Sequence, residues 1–180
     1  MAILSALTSR FQGPPEAPET VDWTTRYRSE LPHVLNYFRY RVGDPAVAED
    51  LTATTFEKAW ASRDNYRDAG KFSAWLMTIA RNVAIDYSRT RRDHLPIEAA
   101  DNRAAGMSVE QSVERQADAD RLRALLQGLP ESQRELLALK YGAELTNRHI
   151  ARITGLTESN VGTTLHRLVQ QLRARWEAQP

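Results

Sequence analysis

The sequence predicts an all-α fold of two small helical domains joined by an acidic flexible linker, the C-terminal one containing a helix-turn-helix. Three observations predict it. Apolar residues recur at helical spacing along most of the chain, with no sustained period-two alternation and no Asn-Gly or Asp-Gly hairpin turn. Charge alternates in blocks although the net is only +1: residues 61–92 hold seven Lys/Arg against three Asp/Glu, and residues 93–120 hold seven acids against two arginines. A stretch near the C-terminus, LTNRHIARITGLTESNVGTTLHRL, has the spacing of two short helices crossing at a tight turn.

The elements follow in order. Residues 1–20 form a lead-in with Pro14, Pro15 and Pro18 and no basic stretch before the short apolar run, so they are expected to be disordered rather than a signal peptide. A first helix is expected over residues 24–42, with Tyr27, Leu31, Val34, Leu35 and Phe38 on one face, Pro32 kinking or starting it, and Gly43 ending it. Asp44 is a natural N-cap and Pro45 suits the first turn of a second helix, with Val47, Leu51, Phe56 and Trp60 as its apolar stripe to about Ala61. Residues 62–71 read as a loop. A third helix runs over about 72–91, burying Phe72, Trp75, Leu76, Ile79, Val83 and Tyr87. The domain boundaries expected are 21–92, a linker over 93–117 in which helix resumes near residues 108–112, and 118–180.

In the second domain a helix ends at Gly128, Pro130 opens the next, and Leu136, Leu137, Leu139 and Tyr141 supply apolar surface before Gly142. Thr146 and Thr157 cap two further helices, with a left-handed turn at Gly155 and Leu156 plugging the corner. Small Ala151 sits four residues before Gly155, where the helices cross. Val161 lies six after it and joins Ile150, Ile153, Leu165 and Leu168 in one core. In such a unit the second helix enters the major groove of duplex DNA. Its outward residues are Glu158, Ser159, Asn160, Gly162, Thr163, His166 and Arg167, with Arg173 and Arg175 extending a basic edge. Asn pairs with adenine, Glu accepts from cytosine, and Arg grips guanine or phosphate.

Other classes find little support. The chain has no cysteine, which removes disulfides and thiolate metal sites and fits a reducing cytoplasm. His33, His94, His149 and His166 form no metal-ligand spacing, and there is no Gly-rich phosphate loop and no nucleophile elbow. Neither a catalytic site, a metal nor a cofactor is expected. No apolar run approaches the roughly 18 residues of a membrane helix, so no membrane insertion is expected.

Both halves together resemble a sigma factor of the extracytoplasmic-function (group IV) type, within the sigma-70 family. The stretch VGDPAVAEDLTATTFEKAW is similar to the family's region 2.2, FSAWLMTIARNVAIDYSRTRR to its regions 2.3 and 2.4, and LPESQRELLALKYGAELTNRHIARITGLTESNVGTTLHRLVQQLR to its region 4. The resemblance implies a cytoplasmic transcription initiation factor that binds core RNA polymerase at the β′ clamp helices and the β flap. It implies contact with promoter DNA, double-stranded and melted, and a partnering anti-sigma factor. Polymerase binding falls to Glu49, Asp50, Thr54, Phe56 and Glu57. Minus-10 recognition falls to Tyr66, Arg67, Lys71, Phe72, Arg81, Asn82 and Arg89, and Tyr66 is the preferred stacking residue because Trp75 suits a core position. Minus-35 reading falls to Glu158, Ser159, Asn160, Thr163, His166, Arg167 and Arg173. The sequence departs from the family pattern at Ala53 and Thr54, where Gln and an acid are usual, at His149, where Glu is common, and at Gly162, where a basic residue is common. The alternative reading is a stand-alone helix-turn-helix repressor or activator, which shares the second half and leaves the 72–91 helix unexplained.

Overall fold

A computed structural model describes residues 22–66, 72–94 and 113–178. Among them there is no strand. The helices are α1 (Trp23–Val42), α2 (Pro45–Ala61), a 3-10 turn (Arg63–Asn65), α3 (Phe72–His94), α4 (Val113–Gln127), α5 (Glu131–Leu137) running into a π turn (Ala138–Gly142), α6 (Asn147–Thr154) and α7 (Glu158–Glu177).

Asp22 starts α1 by accepting from the amides of Thr24 and Thr25 at 3.1 and 3.2 Å and from the Thr25 hydroxyl. Those donors, Thr25 foremost, hold its carboxyl below the usual carboxylate range. The cap is therefore complete above that range and is lost as pH falls through the lowered value. The helix runs unbroken through Pro32. Pro32 and Arg28, whose carbonyl loses its partner, both lie on the exposed side of the helix, so the missing bond is not enclosed in the core. Gly43 at φ 77° ends α1, and Asp44 caps α2 through the amides of Ala46 and Val47.

The α2 stripe differs from expectation. The buried residues are Ala48, Thr52, Thr55 and Ala59, whereas Val47, Leu51 and Phe56 are half-buried and Trp60 is 55% exposed. Small side chains at helical spacing let α2 approach α1 and α3 closely. The two threonines satisfy their hydroxyls on the carbonyls four residues back, at 2.7 and 2.8 Å, so their burial leaves nothing unpaired. The larger side chains are displaced to the rim.

Helix α1 is buried on two sides. Helices α2 and α3 pack on one; Val34 and Phe38 of α1 are fully buried. Helix α5 and the π turn pack on the other, where Tyr37 and Arg41 are buried. The first-helix stripe is thus broader than the one expected, and Tyr27 lies outside it at 44% exposure. Burial pushes the Tyr37 phenol well above its ordinary value, so it stays neutral. Among the described residues, ion pairs cross between the halves from Arg41 to Glu131 at 2.8 Å and from Arg81 to Glu135 at 2.7 Å. In the second half, Leu136, Leu137, Leu139, Leu145, Ile150, Val161, Leu165 and Leu168 fill the interior. Helix α4 is described from Val113, next to the residues 108–112 near which helix was expected to resume; residues 95–112 themselves lie outside the described residues.

Candidate nucleic-acid interface

The helix-turn-helix forms as its spacing demands. The Thr146 hydroxyl accepts from the His149 amide at 3.3 Å and the Thr157 hydroxyl from the Asn160 amide at 3.2 Å, capping α6 and α7. Gly155 sits at φ 76°, a left-handed conformation that costs other residues, and its amide closes α6 on the Ala151 carbonyl at 2.9 Å. Ile150 and Val161 are fully buried at the crossing. Leu156 does not plug the corner. It stands 38% exposed, because the left-handed turn carries it outward and Ile150 with Val161 already fills the space.

Glu158, Ser159, Asn160, Thr163, His166, Arg167 and Arg173 are all exposed on α7. Asn160, Thr163 and Arg167 share one stripe at helical spacing. The Asn160 side-chain carbonyl accepts from the Thr164 hydroxyl at 3.0 Å, which orients the amide and leaves its donors to face outward. Replacing Thr157 with alanine should cost about 1 kcal/mol of stability by removing this cap, read as a lower denaturation midpoint. Gly162 is half-buried, and a Cβ there would meet only the Asn147 amide nitrogen, at 3.4 Å. Gly162→Ala should therefore stabilise the helix by about 0.5–1 kcal/mol, raising Tm by roughly 1–4 °C in a thermal melt.

The first half carries an aromatic nest. Trp23 is its hub, with ring centroids 5.6 Å from Phe72, 6.0 Å from Trp60, 6.1 Å from Trp75 and 6.3 Å from Tyr66. Tyr66 also lies 4.8 Å from Trp75 and 5.3 Å from Phe72. The Arg26 guanidinium stands over Phe72 and that of Arg63 over Trp60, at 5.1 and 4.5 Å. Phe72 is only 3% exposed, so its ring is packed beneath Tyr66 rather than offered to a ligand. Sequence reasoning missed Trp23 and Arg26. The available signal was the Asp22 cap, which places Trp23 in the first turn and aims it at the following helices. Asn82 and Arg89 are exposed along one stripe of α3, with Arg89 3.4 Å from Asp86. Arg81 lies about a quarter-turn away and is engaged by Glu135, so it does not share that stripe. Arg67 and Lys71 lie outside the described residues.

On α2, Glu49, Asp50 and Glu57 are exposed, and the half-buried Thr54 bonds back to the Asp50 carbonyl at 2.9 Å. Phe56 packs against Tyr27, with centroids 4.5 Å apart and the rings tilted by 57°. Beside these lies an apolar cleft of about 520 Å³ lined by Trp23, Tyr27, Ala53, Phe56 and Trp60 among others. The acidic face thus borders an aromatic one.

Comparison with known proteins accounts for this arrangement. The family model for Sigma-70 region 2 matches residues 26–94, and that for Sigma-70, region 4 matches residues 119–172. The ECF RNA polymerase sigma factor SigM of Bacillus subtilis is 30% identical over 152 residues, covering 82% of this chain and 91% of SigM. The chain belongs to the ECF sigma factors of RNA polymerase. This sigma factor is also 34% identical over 143 residues to BldN of Streptomyces coelicolor, covering 77% of its own length and 54% of BldN. Its fold is shared with the sigma factor RpoE of Bartonella quintana, solved with the anti-sigma factor NepR, at a TM-score of 0.67 and 23% identity over 88% of this chain and 99% of that one. The same holds for CnrH, solved with the cytosolic domain of CnrY, at 0.61 and 20% over 87% and 86%. Matches in both halves favour a sigma factor over a stand-alone regulator. Among the described residues no helix is long and apolar enough to cross a membrane.

Proposed function

We propose that this sigma factor docks on core RNA polymerase through α2, reads the minus-35 element with α7, and opens the minus-10 element around Tyr66. The observation that carries the reading is the separation of two unlike surfaces on one chain. One is a capped recognition helix whose outward residues are all exposed. The other is an aromatic nest flanked by Arg26 and Arg63, from which α3 leads on to the exposed Asn82 and Arg89. Duplex reading needs the first. Melting without ATP needs the second, because an extruded base must regain the few kcal/mol of lost stacking on another π-face.

In this reading Glu49, Asp50, Thr54, Phe56 and Glu57 meet the β′ clamp helices, and the aromatic rim of Trp60 and Tyr27 compensates for Ala53 and Thr54. Phe72 and Trp23 hold Tyr66 from beneath rather than touching DNA. Linking the two readers raises their joint affinity through effective concentration. The protein acts in the cytoplasm as a non-catalytic subunit, and its partners include an anti-sigma factor, as the solved relatives RpoE and CnrH were captured with NepR and CnrY. Run-off transcription from a genomic fragment pool, with core polymerase and with or without the protein, tests the reading. Protein-dependent transcripts sharing two upstream sequence blocks are expected. Specific duplex binding without any transcript would instead favour a stand-alone regulator.

A further inference from the structure

Two aromatic side chains of the first half stand in water beside an apolar hollow. Trp60 is 55% exposed and Tyr27 44%, and both line the cleft of about 520 Å³ whose walls also include Trp23, Ala53 and Phe56. An apolar cavity of roughly 150 Å³ holds a benzene ring, so the cleft has room for about three side chains of that size. Contiguous apolar surface rimmed by polar residues marks a docking site. The rim here is acidic: Glu57 lines the cleft, and Glu49 and Asp50 are exposed on the same helix.

The chain itself supplies a matching segment. Residues 1–21 lie outside the described residues, which begin at Asp22, one residue before the Trp23 wall of the cleft. Within residues 1–12, Ile3, Leu4, Leu7 and Phe11 recur at helical spacing, which places them in one arc of roughly 100°. The same stretch holds Arg10 and no acid, so its charge complements the rim. Residues 12–21, with Pro14, Pro15 and Pro18, join it to α1. Extended at about 3.1 Å per residue they reach roughly 30 Å, against roughly 16 Å for a helix of residues 1–11. The tether therefore lets the segment lie anywhere along the cleft. So short a helix is marginal alone in water and needs a surface to form on.

We infer that residues 1–11 dock as a helix in this cleft, with Ile3, Leu4, Leu7 and Phe11 against Tyr27, Phe56 and Trp60, and with Arg10 toward the acids of α2. The cleft borders the residues read above as the polymerase-docking face, so the docked segment competes with polymerase. That competition rests on the proposed function; the docking itself does not. A short tether presents the segment at an effective concentration of the order of millimolar, so even weak docking fills the cleft in most molecules. Polymerase affinity then falls in proportion to the undocked fraction.

The chain has no cysteine, so Leu7→Cys paired with Ala53→Cys reads the contact in the full-length protein. Mild oxidation should link the pair within one chain roughly tenfold faster than the control pair Leu7→Cys with Gln170→Cys, whose second position is exposed on α7. Adding Leu4→Glu should slow the link to the control rate. In the cysteine-free chain, Leu4→Glu/Leu7→Glu should tighten binding to core RNA polymerase roughly three- to tenfold. Equal rates for the two pairs overturn the docking. A product that joins two chains assigns the cleft to a second copy and overturns it as well. A fast link at Ala53 with unchanged polymerase affinity keeps the docking and overturns the placing of polymerase on α2.

Discussion

Trp23→Ala will cost about 2–3 kcal/mol of stability, below the roughly 3–5 kcal/mol typical of a fully buried aromatic because Trp23 is half-buried. The loss falls on four aromatic partners at once: Trp60, Tyr66, Phe72 and Trp75. Edge-to-face pairs add about 0.5–1.5 kcal/mol each beyond their burial, and they fix ring orientation. Tyr66 then keeps its hydroxyl and its place in the chain, but its ring is no longer aimed. Promoter opening, followed as permanganate reactivity of the downstream bases, should fall roughly tenfold, while footprints of the upstream element stay the same. Tyr66→Ala should reproduce the opening defect, because base–aromatic stacking is worth about 1–3 kcal/mol, with a smaller loss of stability. Trp23→Phe should recover most of both. Normal opening by Trp23→Ala would remove the nest from the melting step.

Arg167→Ala is the second large effect. Arg167 is exposed on α7, on the stripe of Asn160 and Thr163. If it is bidentate to a guanine, its loss costs about 1–3 kcal/mol, or roughly 5–150-fold at one upstream position, and relaxes specificity there. If it holds phosphate, binding weakens uniformly and the slope of log affinity against log salt shrinks by about 1. Salt titrations on matched and mismatched upstream duplexes separate the two cases. An unchanged upstream footprint would exclude both.

The helix-turn-helix was the most legible part of the chain. Caps, a left-handed glycine and a helical stripe are local properties, so Thr146, Gly155, Thr157, Ile150 and Val161 could each be placed from nearby residues. Helix α2 was legible as a helix and illegible as a surface. Hydrophobicity pointed to Phe56 and Trp60, whereas close helix approach selected Ala48, Thr52, Thr55 and Ala59. Trp23 escaped notice because a helix's first turn has no preceding period to mark its buried side. The pairings of Arg41 and Arg81 escaped for another reason. Their partners lie 90 and 54 residues away in sequence, and no local pattern encodes a pairing at that range. The polymerase and minus-10 roles came from family resemblance, since exposed charge alone does not name a partner.

The tight seat of Gly142 against the backbone of Asn36 and Tyr37 sets a strict size limit at one point of the contact between α1 and the π turn. Any side chain there must push one of the two aside, so a single methyl group is a geometric wedge between them. The position lies outside the α7 reading face, so its tolerance to substitution reports packing alone.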